Sequence, residues 1–403
     1  MSKLKELIKR NKGISKIAES IIDSSKWLYD NTINRMCWII SSVFPIKNNK
    51  IVVCNYYGRG FSDNAKYIAM EAIDRQLNYD IVWLVKNIKD NNEFPDEIRL
   101  VKYKSFKAIY ELSTARAWID NSRKNYYTRK RKNQLYIQTW HGGIALKKIE
   151  KDAEDSLLNS YVKFAKKDSK NADLFISNSK FNTNMYKRAF WYDGEILECG
   201  VPRNDLLFNN IEETKRKVKS FFNIANNKKI VMYAPTFRKD NNLEVYKFDY
   251  EKCIEEFNKK FSKEYVMLIR LHPNVFTKST QLDFNSNNVF NASFYPDMQE
   301  LLVATDILIT DYSSSMFDFM LTRKPCFIYA SDIKDYSDDR GFYFELDKLP
   351  FVISTSTDEM IKNIDMFDSD VYFRELDNFL KEQGCVDNGT ASKQVVDWIE
   401  NHM

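Results

Sequence analysis

The sequence predicts an α/β protein of two doubly wound, Rossmann-like lobes, preceded by an amphipathic helical segment. Three observations carry that expectation. Short apolar runs alternate with helical stretches from residue 51 onward, the alternation pauses over a polar stretch and restarts, and polar clusters follow the ends of several apolar runs. Alternation of this kind argues for parallel strands with helices on both faces. At 403 residues the chain has the length of two ordinary domains, and its composition (44% hydrophobic, 14% aromatic, 29% charged) is globular.

The first 48 residues stand apart. Residues 1–50 hold ten Lys/Arg and four Asp/Glu, a balance of +6 against +5 for the whole chain, so the remainder carries about −1. The basic character is therefore local, and nothing in it points to nucleic acid. Ile14, Ile17, Ala18, Ile21 and Ile22 fall on one helical face, and Ile33, Met36, Cys37, Ile40 and Phe44 repeat the pattern. Such a helix, with Trp27, Tyr29 and Trp38 at headgroup level, suits an anionic membrane interface. Packing on its own domain or on a second subunit is the alternative. No signal-peptide pattern opens the chain and no apolar run approaches the ~20 residues of a spanning helix, so the expected location is cytoplasmic.

Strand-like runs follow at Ile51–Asn55, Ile81–Val85, Arg99–Tyr103, Ala117–Asp120, Leu135–Thr139, Asp173–Ser177 and Glu195–Cys199. Helical stretches such as Asn64–Ile73 and Phe106–Leu112 separate several of them. After the polar stretch Asn209–Lys229 come Lys229–Ala234, Tyr265–Leu271, Asn288–Asn291, Asp306–Thr310 and Pro325–Tyr329. The expected division is a membrane-association segment at 1–48, a first lobe at 49–208 and a second at 209–403, with Ala391–Asn401 as a closing helix. The six cysteines lie far apart with no Cys-x-x-Cys pair, which argues for reduced core residues and against zinc.

In open parallel sheets ligands bind beyond the carboxyl ends of strands. His141, in QTWHGG, lies just past Leu135–Thr139; Gly142 and Gly143 after it permit close approach by a ligand. An imidazole there can accept a proton near neutrality, though a histidine satisfied inside a turn is the alternative. Arg270 and His272, in RLHP, would project to one side of an extended strand, a pair suited to a phosphate or to a salt-bridged arginine beside a structural histidine. Thr236 and Arg238, in YAPTFR, offer a hydroxyl and a fixed cation, or equally a turn and a surface pair. In TDYSSSMFDF, Asp311 precedes Ser313, Ser314 and Ser315, which would occupy a helix N-cap and first turn, a place that serves capping and anion binding alike. Asp318, one turn on, reads as a ribose ligand or a solvated carboxylate. Arg129–Lys132 reads as a solvated loop, or else as a patch that attracts an anionic polymer or lipid headgroups. There is no G-x-x-x-x-G-K-[ST], no complete G-x-G-x-x-G after the first strand, and no Asp-x-Asp at a strand end. Phosphate charge would then fall to Arg, His and helix N-termini, with no metal or other cofactor expected.

Taken together, YGRGFSDNAKYI, QTWHGG followed by LKK, SNSKFNTNMYKRAF, CGVPRND, YAPTFR, RLHP and TDYSSSMFDF resemble the CDP-glycerol glycerophosphotransferase family over roughly residues 51–345. That resemblance implies a GT-B-like fold, peripheral attachment to the inner leaflet, and transfer of glycerol or ribitol phosphate from a CDP-activated donor to a lipid-linked or polymeric anionic acceptor in teichoic acid or capsule-type synthesis. It implies a catalytic base at His141, a second essential histidine at His272, and donor contacts at Thr236, Arg238, Arg270, Ser313 and Ser314. Asp311, Ser315 and Asp318 are candidate nucleotide contacts, and Gly142 and Gly143 candidate acceptor-side positions. The family's usual His-Gly-Thr-Pro is His141-Gly142-Gly143-Ile144 here. The competing expectations are a nucleotide-sugar glycosyltransferase of the same shape and a catalytically silent binder of anionic polymer.

Overall fold

The computed structural model describes residues 43–89, 93–124, 129–238, 246, 248–271, 287–333 and 341–403, together with positions 28, 32, 35–37, 39 and 40. In chain order the elements are β1 (Lys47–Cys54), α1 (Asp63–Asp74), β2 (Asp80–Val85), β3 (Ile98–Lys102), α2 (Phe106–Thr114), β4 (Ala115–Asp120), β5 (Leu135–Gln138), α3 (Asn159–Asn171), β6 (Leu174–Ser177), α4 (Lys180–Ala189) and β7 (Glu195–Glu198). Next come a 3₁₀ turn at Pro202–Leu207, α5 (Ile211–Phe221), β8 (Lys229–Ala234), α6 (Tyr250–Phe261), β9 (Tyr265–Ile269), β10 (Val289–Asn291), α7 (Met298–Ala304), β11 (Ile307–Thr310), α8 (Ser315–Phe319), β12 (Cys326–Tyr329), β13 (Val352–Ser354), α9 (Thr357–Asp365), α10 (Ser369–Gln383) and α11 (Ala391–His402).

The strands form two sheets, one of seven strands in the order β3-β2-β1-β4-β5-β6-β7 and one of six in the order β10-β9-β8-β11-β12-β13. The pairings between them are parallel, for example Val231 beside Ile307 and Met267. Parallel strands covered by helices on both faces are continuously apolar. All five residues of β9 and all four of β11 are accordingly buried, as is IVVC in β1. In both sheets the order reverses beside a central strand, at β1/β4 and at β8/β11, which makes each sheet doubly wound as expected.

The chain separates into two compact units, residues 1–59, 78–136 and 403 in the first, and 60–77 and 137–402 in the second. In the first, Lys50 is fully buried and paired with Glu111, which also takes Arg99. In the second, one apolar core covers both faces of the six-stranded sheet, from Ile230 and Leu268 to Phe257, Phe317 and Leu376. A smaller cluster of Phe175, Met185, Tyr186, Phe190 and Tyr192 lies under α4. Helix α11 packs on α1 and on the 3₁₀ turn, and Asp205 of that turn accepts from the backbone N–H groups of Ala391 and Ser392. A distant carboxylate thus caps α11, a contact worth about 1 kcal/mol.

Two elements go beyond the expected pattern, and one expected segment is described only in part. The polar stretch Asn209–Lys229 contains α5, a helix that buries just Thr214 and Val218 and so leaves little apolar periodicity. Strand β13 was not expected; at three residues, two of them half-buried, it makes no apolar run. The N-terminal stripe at 14–22, with Trp27, Tyr29, Ile33 and Trp38, lies outside the described residues. Of its second half, Cys37 is buried, and Phe44 is exposed yet meets the Tyr110 ring edge-on at 5.2 Å; Leu28, Ile39 and Val43 nearby are also exposed. Among the described residues no helix is long and apolar enough to cross a membrane.

Candidate active site

Strand β5 ends at Gln138, and side chains from several elements hold the backbone that follows it. Trp140 has φ +51°, a left-handed conformation that costs a bulky residue roughly 1–3 kcal/mol and persists only where its surroundings fix it. They do. Gln138 Oε1 accepts from the Trp140 N–H at 2.9 Å, and Asn64 Nδ2 donates to the Trp140 carbonyl at 3.1 Å and the Thr139 carbonyl at 3.4 Å. The indole meets Phe190 edge-on at 4.8 Å and stacks on the His141 ring at 4.4 Å. His141 is half-buried, and its carbonyl accepts from Arg203 Nη1 at 2.8 Å. The Gly143 carbonyl accepts from Asn182 Nδ2 at 2.7 Å.

Arg203, in the 3₁₀ turn after β7, is 7% exposed. Its Nη1 also donates to Asp63 at 3.1 Å and its Nη2 to Asp318 at 2.7 Å. Asp318 accepts in addition from Asn204 at 3.1 Å and Gln299 at 3.1 Å. The expected solvated carboxylate or ribose ligand is thus a buried ion-pair partner, committed to protein donors because α8 points it inward. Around Gly143 the packing is close: a Cβ there would lie 2.9 Å from Asn178 Nδ2 and 3.4 Å from Asp318 Oδ1, whereas at Gly142 it would meet nothing within 4 Å. Asn178 donates to Asp387, whose carboxyl is pushed up to about 6 by burial.

The reversal point of the six-stranded sheet gathers the second group. Thr236 and Arg238 follow β8, and Asp311 follows its neighbour β11. The Thr236 N–H donates to Asp311 at 2.8 Å, and Arg238 pairs with Asp311 at 2.8 Å and Asp332 at 2.6 Å. Arg238 Nη1 bonds the Thr236 hydroxyl at 2.7 Å, and its guanidinium lies 5.0 Å from the Tyr312 ring centroid. Burial works against the Arg238 cation, but Asp332 and Asp311 outweigh it and raise its pKa. Burial lifts the Asp311 carboxyl in turn. The surface pair that YAPTFR suggested is a buried one. Ser314 occupies the N-cap of α8 without a side-chain cap bond; Ser313 accepts from the Ser315 N–H at 3.3 Å and its hydroxyl meets that of Ser315 at 2.9 Å. Ser313, Ser314 and Ser315 are all half-buried.

Arg270, at the end of β9, gives Nη1 to the carbonyls of Ala292 (2.8 Å) and Tyr295. Burial pushes its pKa down to about 10, which leaves it cationic at neutrality. His272 lies outside the described residues. The structure therefore joins His141, through Arg203, to the helix that follows Ser313–Ser315, and joins Thr236 and Arg238 to Asp311, all within the second unit. Chemically this gives a half-buried imidazole on an immobilised loop, fit for proton transfer, and a half-buried serine-rich turn whose hydroxyls suit anionic oxygens. Arg203, Asn178, Asn182, Asn204 and Gln299 were not singled out by sequence. The strand-end rule applied to β6 and β7 points to Asn178, in SNSKFN, and to Arg203, in CGVPRND.

The model of the family CDP-glycerol:poly(glycerophosphate) glycerophosphotransferase matches residues 36–401. The teichoic acid poly(glycerol phosphate) polymerase of Staphylococcus epidermidis is 35% identical over 370 residues, 88% of this chain and 51% of its own length. The teichoic acid glycerol-phosphate transferase of Staphylococcus aureus is 31% identical over 393 residues, 94% of this chain and 99% of its own. The chain thus spans about half the first relative and nearly all of the second. The wall teichoic acid polymerase TagF, solved as a His-to-Asn variant after a soak with CDPG, shares the fold with a TM-score of 0.81 at 30% identity, covering 96% of this chain and 98% of that one. That likeness bears out the expected GT-B-like α/β class.

Proposed function

The chain belongs to the CDP-glycerol:poly(glycerophosphate) glycerophosphotransferase family, and from that premise we propose that it transfers glycerol or ribitol phosphate from a CDP-activated donor to a lipid-linked or polymeric anionic acceptor, releasing CMP, in teichoic acid or capsule-type polymer synthesis. The observation that carries this reading is the convergence of strand-end groups: an imidazole on a fixed loop, tied through one guanidinium to the helix that begins at the serine turn. The relatives that act on glycerol phosphate, and the TagF structure soaked with CDPG, support the donor class.

In the proposed step His141 takes the proton of the acceptor's terminal hydroxyl. That oxygen attacks the β-phosphorus of the donor, a new P–O bond forms, and the bond to the bridging oxygen breaks with its electrons leaving on CMP. A general base contributes ~10²–10⁴-fold, and placement and charge stabilisation supply the rest. Arg270, His272 and the backbone amides at Ser313 and Ser314 neutralise the phosphate oxygens, with no protein-held metal assigned. Arg238 and Asp318 serve by holding Thr236 and the serine turn, because both charges are already paired. We read residues 49–208, which carry the seven-stranded sheet, as the acceptor lobe and residues 209–403, which carry the six-stranded sheet, as the donor lobe.

We assign the enzyme to the cytoplasmic face of the membrane, attached peripherally through residues 1–48. The outward Leu28, Ile39 and Val43 support an interfacial role, as does the local +6 charge. The test is acceptor-dependent CMP release from CDP-glycerol and CDP-ribitol, with UDP-sugars as the competing arm and EDTA as the metal arm. His141→Ala and His272→Ala are each expected to abolish most turnover, and a folded variant with near-wild-type turnover removes that histidine from the chemistry. Deleting residues 1–46 is expected to reduce sedimentation with anionic liposomes; unchanged sedimentation refutes the attachment.

A further inference from the structure

We propose that Arg203 is the positioning residue for His141: its guanidinium clamps the histidine's own carbonyl and ties it at once to Asp63 and Asp318. The inference rests on the reading of His141 as the base, and it adds a residue to which no role has been given.

Three facts carry it. First, the loop needs holding. Trp140 sits in the left-handed region, and consecutive carbonyls at 139, 140 and 141 each accept from a side chain, Asn64 for the first two and Arg203 for the third. Asn64 is itself oriented by the same turn, its Oδ1 accepting from the Arg203 N–H at 3.1 Å. Arg203 thus holds the third carbonyl through its guanidinium and supports the other two through its backbone N–H on Asn64. Second, the charge is made for the task. A planar guanidinium reaches separate acceptors in fixed directions, which a lysine ammonium cannot match. Asp63 (8% exposed) and Asp318 (4%) hold that fork from two sides. Third, Asp318 is on α8, which starts at the serine turn, so the clamp sets the histidine's backbone and the anion-binding candidate in one frame.

A displaced imidazole should still belong to a folded, donor-binding protein. Misplacement of a reacting group by about 1 Å can cost ~10²-fold in rate. Arg203→Ala in the full chain is therefore expected to lower kcat by on the order of 10²-fold while the donor KM stays within about threefold. In a His141→Ala background the same substitution should cost less than about threefold, since nothing remains to be positioned. Arg203→Lys, which keeps a cation between Asp63 and Asp318, is the second variant should Ala fail to fold, and it should lose kcat in the same pattern. An equal loss in both backgrounds, or a loss confined to KM, overturns the proposal.

A readout independent of turnover uses the histidine count. With three histidines in the chain, selective ¹⁵N labelling gives few ring signals, and His141→Ala assigns the relevant one. Arg203→Ala or Arg203→Lys should shift or broaden that signal and leave His402 in place. An unmoved His141 signal overturns the inference even if transfer is confirmed. If the wild-type chain transfers no CDP-linked polyol, the functional reading fails while the ring signal still decides the positioning.

Discussion

Arg238 offers the sharpest separation between a charge that holds the fold and a charge that holds a substrate. It is 8% exposed in its side chain, and its partners Asp311 and Asp332 are 1% and 17% exposed. Converting Arg238 to Gln leaves two carboxylates facing a neutral amide. Breaking a buried pair from one side costs about 3–5 kcal/mol, because the remaining charge loses its compensation. Two features place the loss near the lower end. Asp332 can rehydrate and keeps the Tyr312 hydroxyl at 3.1 Å, and Asp311 keeps the Thr236 N–H at 2.8 Å. Burial also lifts the Asp311 pKa already, so taking up a proton limits the penalty.

The expectation is a loss of about 3 kcal/mol at neutral pH, measured as a shift in urea midpoint at unchanged slope. Adding Asp311→Asn to the variant should recover at least about 1 kcal/mol, since one uncompensated charge then disappears. The sign with pH follows from the raised carboxyl. A group with a raised folded-state pKa favours folding below its unfolded value and loses that favour as pH rises through the folded one. The deficit of Arg238→Gln should therefore shrink on acidification. A midpoint within ~0.5 kcal/mol of wild type, accompanied by a raised donor KM, would falsify the structural assignment and return the guanidinium to phosphate binding.

Gly142→Ala and Gly143→Ala form a matched pair. The first Cβ meets nothing within 4 Å, while the second would press on Asn178 at 2.9 Å; stability should change by less than ~0.5 kcal/mol in the first and fall by about 1–3 kcal/mol in the second. Equal effects in thermal melts would contradict the packing described here. Asp387 titrates near 6 against an ordinary 3.8, so the folded protein binds that proton more tightly, and up to about 3 kcal/mol of stability should be lost as pH rises from about 4 through 6. Asp387→Asn should flatten that part of the stability–pH curve; identical slopes would rule Asp387 out as its source. Glu111→Gln uncovers the fully buried Lys50 and should cost about 3–5 kcal/mol, with Lys50→Met added to it recovering much of the loss. An additive second loss in that double variant would mean that the pair is not acting as a unit.

What the sequence made legible, and what it hid, divides along a physical line. Strands buried on both faces announce themselves as unbroken apolar runs, so β8, β9 and β11 were readable to within a residue or two, while the half-buried three-residue β13 was not. The strand-end rule found Thr236, Arg238 and Asp311 because the sheet reverses its order between β8 and β11 and brings those two ends side by side. Sequence shows that a residue is charged, but not whether a distant partner has already neutralised it. Asp332 lies 94 residues from Arg238, and the acceptors of Arg203 lie 62, 115 and 140 residues away. Arg238 and Asp318 therefore looked like ligands to a phosphate and a ribose when their charges were already spoken for. Arg203, which the sequence shows only as one residue of CGVPRND, holds the loop that carries the imidazole. Pairing across such distances stiffens a site because each side chain is fixed by elements that the core already fixes. A strand-end histidine beside the strained Trp140 can be held in one place by that means alone, and the paired charges that hold it are then the ones least free to meet a ligand.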